Sequence, residues 1–251
     1  MMKTHTRLLK CALEVEDSRS YWRRRVPGTP PPTASAALSD LWFGPKSLPR
    51  VTVLLLNFRY RFDAFPSALA ALHHWSLAAP ASLHAAAPLI CHWHTQLTDP
   101  LYRAFTRYLS ERRASANPTI TRDVALTWVS AFPDAGPWTM STRVQFASKL
   151  LSAAYAAGLV ASNSDRKPRP LVTPRVPDDA LAYAIHLSRL ADLDLDNDLL
   201  ASVGLTLADG TLDARLARTA AIHLSRLGDV IDLTLREPDL TTWSLTIQDA
   251  A

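Results

Sequence analysis

Over most of this chain apolar residues recur at helical spacing, and only a short stretch late in the sequence breaks that rhythm. Leu8, Leu9, Ala12 and Val15, with Tyr21 and Trp22 further on, predict a helix across residues 1–25. The PGTPPP run at 27–32 cannot continue it and reads as a linker. A short helix is expected from Ala34 to Trp42. Val51, Leu54, Leu55, Phe58 and Phe62 then fall at i, i+3, i+4, i+7 and i+11. A strand there would put Asn57 and Arg59 on the face of Val51, Val53 and Leu55, so a helix is the better fit, with Arg50, Asn57 and Arg61 on its far side. Further helices are predicted from Pro66 to Trp75, from Pro88 to Leu97, and after Asp99-Pro100, where Leu101, Phe105 and Leu109 face inward. No strand pattern precedes Leu159, so residues 1–117 read as a helical bundle.

The pattern changes in residues 118–177. A helix from Thr121 to Phe132 is stopped by Pro133 and turned by Asp-Ala-Gly-Pro. Thr139 and Ser141 can cap the next helix. Val144, Ala147, Leu151 and Ala154 form its stripe, widened by Phe146, Leu150, Ala153 and Ala157, and Gly158 ends it. Leu159-Val160, the basic proline-rich loop Asp165-Arg-Lys-Pro-Arg169 and Leu171-Val-Thr173 follow. Helix, turn, helix, strand, basic loop, strand is the order of a winged helix-turn-helix-like unit with a small β-hairpin. Residues 178–251 complete a mainly α chain with a C-terminal helical region: a helix to Leu190, a short one from Asn197 to Val203, and a longer one from Leu212 to Leu227 stopped by Gly228. A short strand at Val230–Leu235 and a last helical segment from Pro238 to Leu245 end it.

Charge divides along the same lines. Residues 1–117 hold 15 Lys+Arg against 7 Asp+Glu, residues 118–190 hold 8 against 5, and residues 191–251 hold 4 against 11. A cationic body of this kind favours polyanions. In a winged unit the second helix enters the DNA major groove and the wing leans on phosphates. Thr142, Arg143, Gln145 and Lys149 are the candidate contacts on that helix, with Arg166, Lys167 and Arg169 on the wing. Arg and Gln suit base edges; Lys and Thr more often hold phosphates. Arg103 and Arg107, with Arg112 and Arg113, offer an alternative surface on the helical body. Arg23-Arg-Arg25 reads equally well as a phosphate cluster and as a solvated helix end.

Other chemistry finds little footing. Two cysteines, Cys11 and Cys91, make no disulfide framework and suit a reducing cytosol. The charged start predicts no signal peptide, and no apolar run approaches the roughly 18 residues of a membrane span, so a soluble cytoplasmic protein with no membrane partner is expected. His73, His74, Cys91, His92 and His94 lack metal-site spacing, and Asp192–Asp198 lacks the glycine and glutamate of a calcium loop. No nucleotide-binding, nucleophile-elbow or paired-carboxylate motif is present, so no cofactor and no enzymatic activity are expected.

Four stretches carry a resemblance: Arg59-Tyr-Arg-Phe-Asp-Ala-Phe-Pro66, Leu97-Thr-Asp-Pro-Leu-Tyr-Arg-Ala-Phe105, Trp138-Thr-Met-Ser-Thr142, and Lys149-Leu-Leu-Ser-Ala-Ala-Tyr-Ala-Ala-Gly-Leu159. Together they resemble the BrxA family of the BREX bacteriophage-exclusion systems, over about residues 50–190. The resemblance implies a mainly helical, double-stranded DNA-binding component without catalysis of its own. It also implies partners among phage-defence proteins, a methyltransferase and an ATPase included. From the residues alone, a winged-helix transcriptional regulator and a protein–protein adaptor with an architectural winged helix stand beside that reading.

Overall fold

The computed structural model describes residues 4–164, 167–208, 210–218, 222–228 and 230–247. The chain is mainly helical with small antiparallel β pairings. Its first elements are α1 (Arg7–Lys10), α2 (Val15–Arg24), α3 (Ala34–Ser39), α4 (Leu48–Phe58), α5 (Pro66–Ala78), α6 (Pro80–Thr98) and α7 (Pro100–Arg113). The middle holds β1 (Thr119–Ile120), α8 (Arg122–Ala131), α9 (Met140–Ala156) and β2 (Arg169–Pro170). The last part holds α10 (Asp178–Leu190), α11 (Asp213–Arg218), β3 (Ile222–Leu227), β4 (Val230–Leu235) and α12 (Leu240–Leu245).

The expected helix over residues 1–25 is two helices. Between them Glu14 adopts a left-handed backbone (φ 47°). The carbonyls freed there have a partner: Arg61 donates to Leu13 O (3.1 Å) and Ala12 O (2.6 Å), and Ser18 Oγ donates to Leu13 O (3.1 Å). Arg61 is therefore inside, at 5% exposure, and Asn57 is buried as well, whereas the sequence pattern put both on a polar face. A π-helical turn at Arg59–Asp63 continues α4, and the Leu13 and Ala12 carbonyls hold the Arg61 guanidinium inside. Phe58 and Phe62 remain buried as the spacing predicts.

The helix expected from Pro88 begins earlier, at Pro80, and Pro88 lies inside it. From Leu89 to Asp99 only buried positions occur, which makes the second half of α6 the axis of the core. Two histidines on it are buried in polar contacts. His94 Nδ1 donates to Arg61 O (3.3 Å) and Nε2 accepts from the Tyr183 hydroxyl (2.7 Å). Ser202 Oγ gives its proton to Leu199 O (2.7 Å), so His92 Nε2 donates to Ser202 Oγ (2.9 Å) and Nδ1 accepts from Tyr102 (2.9 Å). Burial pushes both histidines down to about 3, and they are neutral.

The C-terminal region closes on the N-terminal one. Trp243 of α12 meets Trp75 of α5 edge-on at 5.6 Å, and His74 Nδ1 donates to Ser244 O (2.8 Å). The helix expected from Leu212 to Leu227 is absent: α11 is short, and Ile222–Leu227 is a strand paired with Val230–Leu235. Gly228 turns this hairpin (φ 59°) instead of ending a helix. Its strands alternate, Ile222, Leu224, Ile231, Leu233 and Leu235 facing the core or its rim, a period of two that the helical template obscured. Thr219 and Ala220 of the expected helix lie outside the described residues.

Candidate nucleic-acid interface

The unit spanning 118–177 has the strand and helix order expected of a winged helix. Thr121 Oγ1 accepts from Val124 N (3.2 Å) to open α8, and Thr139 Oγ1 accepts from Thr142 N (3.2 Å) to open α9. Between the helices Pro133–Ala135 forms a single 3₁₀ turn. Trp138 stacks on Phe146 at 4.3 Å, fixing how α9 leaves that turn.

Gly158 takes a left-handed backbone (φ 75°) and lies close under Pro174, so a β-carbon there meets both strain and a 3.3 Å contact. The chain then runs into the wing. Ala161 N donates to Pro170 O (2.9 Å) and Val172 N to Leu159 O (3.0 Å), pairing Val160 with Leu171. On the other side Thr119 pairs with Pro170 and Ile120 with Arg169, and Leu171 N donates to Pro118 O (2.8 Å). Three short segments thus close a small sheet. The first, β1, was missed from sequence because two residues carry no readable period.

Two candidate DNA residues are turned inward. Arg143 Nη2 donates to Ala135 O (3.1 Å), across the turn that precedes its own helix. Arg169 is only 3% exposed; its Nε donates to Ser164 O (3.0 Å) and its Nη1 to Asn163 Oδ1 (3.3 Å), bracing the wing from within. Arg169 does not present its charge as the spacing suggested, while Arg143 is half-buried with its guanidinium at the turn. Arg166 lies outside the described residues. Lys167 and Gln145 are exposed, and Thr142 and Lys149 are half-buried.

The outward face of α9 is made of Ser141, Gln145, Ser148, Lys149, Ser152 and Tyr155. Its small polar side chains let the helix backbone approach a groove closely, and serine accepts or donates to either strand's bases. Along the second half of α9 the N-terminal segment intervenes: Leu13, Glu14, Glu16 and Asp17 border a cleft with Lys149, Ser152 and Ala156. Glu14 is paired to Arg50 (2.7 Å) and Asp17 to Lys46 (3.2 Å), while Glu16 stays largely exposed beside Arg19. This acidic edge leaves the first two turns of α9 as the accessible part. Arg122, exposed at the first position of α8, was not singled out from sequence. Its signal was available: a residue directly after an N-cap projects from the helix end, where phosphates are favoured.

The arginines of α7 do not form a free cationic surface. Arg103 caps the end of α6 through Gln96 O (2.8 Å) and Leu97 O (3.2 Å), and Arg107 pairs with Asp198. Arg112 donates to Thr119 O, and Arg113 to Ser202 O (3.2 Å). They tie α7 to α6, to β1 and to the turns at 194–204. In the Arg23-Arg-Arg25 cluster, Arg25 is buried against Asp63 (3.2 Å) and Arg24 holds Asp40 O, while Arg23 is exposed.

Among the described residues no group of three or more His, Cys, Asp or Glu side chains is placed to hold a metal ion, and no helix is long and apolar enough to cross a membrane. Comparison with known proteins finds no matching family model, no matching curated protein and no matching solved structure.

Proposed function

We propose that this chain is a non-enzymatic, double-stranded DNA-binding accessory protein of a bacterial phage-defence system of the BREX type, acting beside a methyltransferase and an ATPase. The observation that carries the DNA part is the winged unit itself. A capped helix with a small polar outward face, an exposed wing lysine at 167 and an exposed arginine at the start of α8 lie on one 60-residue unit. The phage-defence part rests on the resemblance to the BrxA family. With Arg169 buried and Arg143 held at the Ala135 carbonyl, fewer side chains on α9 and the wing remain to read base edges, which supports sequence-indifferent binding.

The same inward arginines favour a second reading, an adaptor whose winged helix is purely architectural. Fluorescence anisotropy with a labelled random duplex separates the two. DNA binding predicts saturation that weakens when Arg122 and Lys167 are both replaced by alanine. The adaptor reading predicts no saturation. A two-fold footprint on a palindrome points instead to a transcriptional regulator.

A further inference from the structure

The first turns of α7 and the turn after α8 stand apart, leaving a groove of about 490 Å³. That size lies within the roughly 300–1,000 Å³ typical of small-molecule sites. On one wall Arg103, Ala104 and Arg107 share a face of α7. The other wall is Phe132, Pro133 and Asp134. The groove is lined mostly by apolar surface, with charge at its two sides.

The two sides differ in sign. Arg103 is bonded to helix-end carbonyls and to no carboxylate, and burial together with the neighbouring Arg107 lowers its pKa. Arg107 is 56% exposed and gives one nitrogen to Asp198. A guanidinium carries five N–H donors, so among the described residues both keep donors beyond those these bonds use. Across the groove Asp134 accepts from the Thr4 hydroxyl and retains acceptor capacity. Phe132 lies between these sides, half-buried at the end of a ladder that continues to Trp128 at 5.5 Å.

We propose that this groove binds a small aromatic carboxylate that carries a hydrogen-bond donor at the end remote from the carboxylate. The carboxylate meets Arg103 and Arg107, whose planar forks suit it. The ring lies on Phe132 and Pro133, and the far donor meets Asp134. Such a ligand bridges α7, part of the helical body, to the turn that Arg143 links to α9. The site does not depend on the DNA reading: its walls and its polarity are the same whether or not the unit binds a duplex.

The test is calorimetric titration of the full chain with three probes: 4-hydroxyphenylacetate, phenylacetate and 4-hydroxyphenylacetamide. The first is expected to saturate one site per chain with a Kd below about 1 mM. The carboxamide, which removes the charge, is expected to bind at least about tenfold more weakly. Ala104→Trp fills the groove without altering a charge and abolishes binding in a protein whose melting shows it folded. Asp134→Ala, on the exposed turn, removes the acceptor and erases the preference for 4-hydroxyphenylacetate over phenylacetate. Absence of saturation, equal binding of the carboxamide, or full binding by both folded variants overturns the proposal.

Discussion

Arg143 Nη2 reaches back 3.1 Å to the carbonyl of Ala135, so the residue best suited by type to read a base instead fastens the turn between α8 and α9. A side chain four residues past the N-cap, on a helix that Trp138 and Phe146 pin in place, lies within reach of that turn's open carbonyls. Arg143→Ala is expected to destabilise the fold by about 1.5–3 kcal/mol, the range for a lost charged hydrogen bond. DNA affinity should fall equally on all duplexes. Chemical denaturation gives the first number, and a loss confined to one DNA sequence at unchanged stability contradicts the assignment.

On the wing, two cations five atoms of backbone apart behave oppositely. Arg169→Ala removes a buried guanidinium and should cost about 2–3 kcal/mol while loosening Asn163 and Ser164, which it holds. Lys167→Ala should leave stability within about 0.5 kcal/mol and flatten the salt dependence of duplex binding by about one unit. Melting curves beside binding isotherms distinguish them; identical behaviour of the two variants refutes the division.

How much of this was legible in the sequence follows from which interactions set each element. Helices such as α7, α8 and α10 announce themselves through caps and apolar periods, and Leu151 sits fully buried where the stripe put it. Leu151→Ala is expected to lose about 2–4 kcal/mol on denaturation. Arg61, by contrast, enters the core because loop carbonyls from residues 11–13 need donors. That cause is not local to its own pattern. The same holds for the candidate site: residue types at Arg143, Arg169 and Arg103 were right for DNA, but backbone carbonyls nearby claim them first. In β3, Leu224 and Leu227 stand at helical spacing, but on the strand they face opposite sides and Leu227 is exposed; the pairing with β4 decides.

Acid should unfold this protein through its core histidines. His92 and His94 are held neutral with values of about 3, below the usual 6.5. Their folded values are depressed, so the unfolded chain binds more protons at acid pH. The stability they contribute is fully present above about pH 6.5 and is lost as pH falls from there toward 3. At pH 5 the loss should reach about 1–2 kcal/mol per histidine relative to pH 7.5. His186, pushed down to about 4 chiefly by burial and also by Arg189, adds in the same direction. Denaturation at the two pH values tests this, and the double variant His92→Gln, His94→Gln should be less stable at pH 7.5 but flatter with pH. A wild-type stability that rises on acidification across that window would refute it.

The central claim is that the winged unit holds duplex DNA through phosphates, and a titration of random-sequence duplex across a series of salt concentrations tests it most directly. With Arg122, Lys167 and two further cations engaged, log K should fall against log salt with a slope of about −3 to −4. Glu16→Lys, which turns the acidic edge beside α9 cationic, should tighten binding and steepen the slope by about one unit. No binding at low salt, or a slope near zero that neither variant moves, would contradict the claim.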